Sequence, residues 1–129
     1  MIVDASALIA ILLGEADAHE FAGALRAHHP KLMAAPTYLE VCMVMIGRKG
    51  QEAKSRVERL IAETRIAVVP FDGAVAQIAV DAFQKYGKGR HRAGLNFGDC
   101  MSYALAKAEV MPLLFKGDDF RLTDIEPAL

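Results

Sequence analysis

Four short apolar runs punctuate the chain, and each is followed by a longer stretch with helical periodicity. The runs are residues 1–3, Lys31 to Ala35, Ile66 to Val69 and Pro112 to Phe115. Ser6 suits the cap of a helix through Ala7 to Leu13 that stops at Gly14. A second helix spans Asp17 to His28, with Phe21 and Leu25 one turn apart. Pro36 suits the first turn of a third, which carries Leu39, Val41, Cys42, Met43, Val44, Met45 and Ile46. It is apolar nearly all round, so it is expected to be buried. Gln51 to Arg65 is a charged helix whose pairs Glu52–Arg56, Lys54–Glu58 and Arg59–Glu63 have opposite sign at i, i+4. Asp72 to Tyr86 and Gly98 to Val110 complete the helices, around a basic loop at Gly87 to Gly94. Strands alternating with helices predict a three-layer α/β/α sandwich, with a central, mainly parallel sheet of about 4–5 short strands. At 129 residues the chain is read as one domain, 1–129.

Composition narrows the class of function. Net charge is −1, so nucleic-acid contact would have to come from local patches rather than from overall basicity. Cys42 and Cys100 lie inside apolar helical runs, which suits reduced thiols packed as small hydrophobes. Two cysteines make neither a disulfide framework nor a zinc site. No segment reaches the roughly 18 continuous apolar residues of a membrane span. The opening Met1-Ile2-Val3-Asp4 lacks a basic region before an apolar stretch, so no signal peptide is expected. The expectation is a cytoplasmic protein with no membrane partner.

The acidic residues carry the chemistry. Most of the 16 fit a solvated surface, but four places do not. Asp4 directly follows the first strand. Glu40 stands inside the apolar third helix and is the only acid between Glu20 and Glu52. Asp99 opens a helix and is the only acid between Asp81 and Glu109. Asp118 and Asp119 follow the last strand. In a parallel α/β sheet, ligand sites form at the carboxyl ends of the strands, so these four places are predicted to converge. Clustered carboxylates repel unless a cation neutralises them. An all-oxygen donor set suits Mg²⁺ or Mn²⁺. Taken singly, Asp4 and Asp99 also read as ordinary helix-start acids, and Asp118-Asp119 as a turn.

The same residues resemble a known family. Met1-Ile2-Val3-Asp4-Ala5-Ser6-Ala7-Leu8 looks like the opening of PIN-domain proteins. Thr37-Tyr38-Leu39-Glu40-Val41, Leu95-Asn96-Phe97-Gly98-Asp99-Cys100 and Pro112-Leu113-Leu114-Phe115-Lys116-Gly117-Asp118-Asp119-Phe120 resemble the second, third and fourth acidic motifs, in order. The basic loop Tyr86 to Gly94 is similar to that of the VapC toxins of bacterial toxin–antitoxin pairs. The resemblance implies a PIN-like fold and a Mg²⁺- or Mn²⁺-dependent endoribonuclease. It also implies a VapB-type antitoxin that neutralises the enzyme, a homodimer, and contact with DNA only through the antitoxin. It gives the catalytic and metal-binding roles to Asp4, Glu40, Asp99 and Asp119, with Asp118 as the alternative fourth acid. Ser6 matches a position that often supports the first Asp. Arg90 and Arg92, in the basic loop, are candidates for gripping RNA phosphates.

Two other readings compete. Phospho-acceptor receiver domains share the size, the sandwich and an acidic pocket, but need an Asp near mid-chain. None occurs between Ala18 and Phe71. A PIN fold without catalysis, acting only as a binding protein, would not need all the acids, and all are present.

Overall fold

The computed structural model describes all residues, 1–129. Its elements run β1 (Ile2–Val3), α1 (Ala5–Leu13), α2 (Ala18–Ala27), β2 (Lys31–Ala34), α3 (Ala35–Lys49), α4 (Ala53–Thr64), β3 (Ile66–Val69), α5 (Gly73–Tyr86), α6 (Phe97–Glu109) and β4 (Leu113–Leu114). A single turn of 3-10 helix follows at Asp119–Leu122. The sheet order is β3-β2-β1-β4, and every neighbouring pair is parallel. With β1 in the interior, Ile2 pairs with both Leu32 and Leu113.

Successive strand residues point to opposite faces, and the two faces bury separate cores. Val3, Met33, Ile66 and Leu114 pack with residues of α1 to α4. Ile2, Ala34 and Leu113 pack on the other side with residues of α5 and α6. The predicted three-layer sandwich is therefore observed, with four strands. No helix is long and apolar enough to cross a membrane.

Three local expectations are corrected. The cap of α1 is Asp4 rather than Ser6: the Asp4 carboxylate accepts the Ser6 N–H, and the helix starts two residues earlier. The helix ends as expected at Gly14, at φ +66°. The second correction concerns α3, which is not buried all round. Val41, Cys42 and Met45 face the core, while Leu39 and Met43 are 56% and 64% exposed and Ile46 is also at the surface. One layer of sheet covers one face of a helix, whatever the composition of the other face. The third concerns the charged helix α4, where the Lys54–Glu58 pair closes, at 3.2 Å, and the two flanking pairs do not. Long exposed side chains lose entropy on pairing, and the Coulomb gain in water is small.

Candidate active site

All four predicted places lie at the carboxyl edge of the sheet. Asp4 ends β1, α3 begins directly after β2, and Asp119 follows β4. Helix α6 approaches from the other layer and contacts α3, β1 and β2.

Asp4 is buried, and both of its oxygens are held. Oδ2 accepts the Ser6 N–H at 2.9 Å and the Ser6 hydroxyl at 2.6 Å. Oδ1 accepts the buried Ser102 hydroxyl at 2.5 Å. Ser6 Oγ in turn accepts the Lys116 N–H at 2.9 Å. The Lys116 ammonium pairs with Glu15 and, at 3.0 Å, with Asp17. One carboxylate thus joins the ends of β1 and β4 to α6, and the chain after β4 is tied to the turn between α1 and α2. Ser6 performs the support expected of it.

Glu40 projects from α3 across to α6, where its carboxylate lies against Gly98. A Cβ at position 98 would stand 2.6 Å from Glu40 Oε2 and 3.0 Å from Oε1. Burial raises the Glu40 carboxyl above the usual range, and the charges of Asp4 and Asp99 raise it further.

Asp99 is both a helix-start acid and a member of the cluster. Asn96 caps α6, accepting the Asp99 N–H at 2.9 Å, and Asp99 Oδ2 accepts the Asn96 N–H at 2.8 Å in a reciprocal capping box. Burial nevertheless pushes the Asp99 carboxyl up to about 6. The Asn96 N–H opposes that shift, and the charges of Asp4 and Asp119 add to it. Of the last two acids, both exposed, Asp119 is the one whose charge reaches Asp99, while Asp118 lies 4.0 Å from Arg121.

Arg90 and Arg92 are both exposed on the basic loop. That loop is pinned: Arg90 N–H donates to Gly87 O at 2.9 Å, Gly94 N–H to His91 O at 3.0 Å, and Leu95 N–H to Tyr86 O at 3.0 Å. The Arg90 guanidinium stands 5.6 Å over the Phe83 ring.

Sequence reasoning missed Ser102, Gly98 and Lys116. Ser102 had a usable signal: it is the only hydroxyl-bearing aliphatic residue of an otherwise apolar run, one turn after Asp99. The side chains do not close a ready cage in which three acids or imidazoles meet at one point. The oxygen donors they offer differ from the closed nitrogen and sulfur sites of structural zinc; a hard divalent cation takes one or two such carboxylates and keeps several waters.

The family model of the PIN domain matches residues 1–126. A ribonuclease VapC of Mycolicibacterium smegmatis is 46% identical over 125 residues, covering 97% of both chains. Ribonuclease VapC30 of Mycobacterium tuberculosis is 45% identical over 125 residues, covering 97% of this chain and 95% of the relative. Among solved structures, VapC20 of Mycobacterium tuberculosis, a sarcin–ricin loop cleaving toxin, superposes with a TM-score of 0.79 at 15% identity, over 96% of this chain and 95% of the other. A toxin–antitoxin complex from Klebsiella pneumoniae superposes with a TM-score of 0.68 at 24% identity, over 92% and 88%. These two show the shared fold.

Proposed function

The chain belongs to the PIN-domain family, and within it to the VapC ribonucleases, and from that premise we propose that it is an endoribonuclease toxin that hydrolyses RNA phosphodiester bonds with Mg²⁺ or Mn²⁺. The observation that carries this reading is the placement of Asp4, Glu40, Asp99 and Asp119, from four distant segments, at one edge of the sheet, where burial first and then one another's charges hold the Glu40 and Asp99 carboxyls above their usual range. An acidic cluster under such repulsion favours a divalent cation.

Asp4 and Asp99 are the first residues to hold the ion, with Glu40 and Asp119 completing the site or holding its waters. When bound, the cation lowers the pKa of water and shields the charge growing on the phosphate. Ser6 and Ser102 orient Asp4 from opposite sides, so its carboxylate is positioned before substrate arrives. Glu40 has a raised proton affinity, which suits it to take a proton from an attacking water. Arg90 and Arg92 offer cations to the flanking phosphates.

The same reading includes neutralisation by a VapB-type antitoxin, with DNA reached only through it, a homodimer, and action in the cytoplasm. The outward stripe of α3, with Leu39, Met43 and Ile46, supports an apolar protein partner beside Glu40. The test is cleavage of RNA by purified protein in Mg²⁺, in Mn²⁺ and in EDTA, alongside Asp4→Asn. Asparagine is also a good helix cap, so that variant should stay folded while losing activity. Full cleavage in EDTA, or by Asp4→Asn, refutes the metal-site reading.

A further inference from the structure

Between Arg90 and Arg92 on the basic loop stands His91, and residues 87–94 contain no acid. His91 is half-buried and edge-on to Tyr86, with the ring centres 5.2 Å apart and the planes at 83°. Tyr86 rests in turn on Tyr103, at 5.8 Å, one turn beyond Asp99 on α6. The loop runs into Leu95, directly before the Asn96–Asp99 capping box. The imidazole is therefore fixed against the helix that carries part of the acidic cluster.

Its contacts also fix where the ring carries its proton. Ala93 is buried, and its N–H donates to His91 Nδ1 at 3.0 Å. A ring nitrogen that accepts carries no proton, so the single proton of the neutral ring is on Nε2. No hydrogen bond within the chain uses that N–H. The loop thus presents two guanidiniums and, between them in sequence, one uncharged donor.

We propose that His91 binds RNA as a neutral imidazole, its Nε2–H donating to a phosphate oxygen while Arg90 and Arg92 supply the charge. The proposal rests on the RNA-cleavage reading above and adds a residue to its substrate contacts. An uncharged donor adds affinity without neutralising a phosphate, so it leaves the salt dependence alone, whereas each cation contact steepens it. The plainer role, closing the loop by accepting the Ala93 N–H, needs only an acceptor. Asparagine supplies one, because its side chain accepts from the N–H two residues on. It has no donor that reaches as far as Nε2.

The test is His91→Asn. Cleavage of a single-stranded RNA of randomised sequence is measured in Mg²⁺ over a range of KCl concentrations, with thermal unfolding and sedimentation velocity on the same samples. The melting temperature and sedimentation should not change. KM should rise roughly tenfold to hundredfold, the loss expected for one hydrogen bond to a charged group, with kcat less affected. The slope of log(kcat/KM) against log[KCl] should stay as in wild type. A wild-type KM leaves the ring only as the closure of the loop and overturns the proposal. A slope flattened by about 0.7 means that the ring binds as a cation, which overturns it too. So does a lower melting temperature or a shift in sedimentation, which traces the loss to the fold of the loop or to a contact between copies. If wild type does not cut the RNA, both readings fall. If it cuts, and His91→Asn matches it, only this one does.

Discussion

Gly98→Ala should separate stability from activity. In most exposed helical positions this change stabilises, by up to about 1 kcal/mol in a helix interior and less in a first turn. Nothing in the backbone opposes it, since Gly98 is not among the residues at positive φ. The obstacle is the Glu40 carboxylate, whose Oε2 would lie 2.6 Å from the new Cβ. Relaxing that contact to an ordinary 3.4 Å moves the carboxylate by about 0.8 Å. The far end of a flexible side chain makes such a movement at little cost in folding energy. A misplacement of about 1 Å in a reacting group can nevertheless cost about a hundredfold in rate. The expected outcome is a melting temperature unchanged or raised by up to about 4 °C, with kcat/KM for RNA cleavage lowered about tenfold to hundredfold. Thermal unfolding by circular dichroism and a cleavage assay at saturating Mg²⁺ check the two halves. The route through Glu40 is tested by repeating the change in a Glu40→Ala background, where the clash is gone and Gly98→Ala should cost no further activity. An equal loss in both backgrounds would falsify the reasoning, as would wild-type kcat/KM in the single variant.

Three further predictions concern the same cluster. In the folded chain Asp99 keeps its proton up to about 6, against 3.8 when unperturbed, so its contribution to stability is complete below 3.8 and is lost as pH rises through about 6. In EDTA, Asp99→Asn should therefore melt close to wild type near pH 4 and above it near pH 7. A gap that does not widen over that interval contradicts the shift. Ser102→Ala removes the buried donor to Asp4 Oδ1 and should cost about 1.5–3 kcal/mol in urea unfolding. An unchanged midpoint would mean that the bond contributes nothing. Of the two neighbouring acids, Asp119→Asn should slow RNA cleavage and Asp118→Asn should not. The reverse order would move the fourth position to Asp118.

The layered α/β fold was legible because its signals are local. A run such as Ile66 to Val69 closed by Pro70 reads as a strand wherever it occurs. The acids were legible because a parallel sheet places strand ends at one edge, so Asp4 and Asp119 could be brought together without knowing any side-chain contact. What stayed hidden depends on distant pairing. Ser102 is a functional hydroxyl only because Asp4, 98 positions away, aims an oxygen at it. Gly98 matters only because Glu40 arrives from α3. The exposure of Leu39 and Met43 was misjudged because an apolar composition does not say how many faces of a helix have something to pack against. Asp4 shows a different limit: capping and a place beside the other acids read as alternatives in the sequence, yet the carboxylate caps α1 while its charge reaches Glu40 and Asp99.

The dependence of Asp4 on Ser102 bears on the chain's own biosynthesis. A nuclease directed at RNA is made on a machine built of RNA. Asp4 leaves the ribosome long before its Oδ1 partner, Ser102, its neighbour Asp99, and Asp119, whose charge reaches Asp99. The unfinished polypeptide therefore holds an acid without the rest of its cluster, and a product truncated before α6 has no complete site to release. The cluster is assembled only once α6 and the segment after β4 have been made. An antitoxin need then confront only chains that extend past β4.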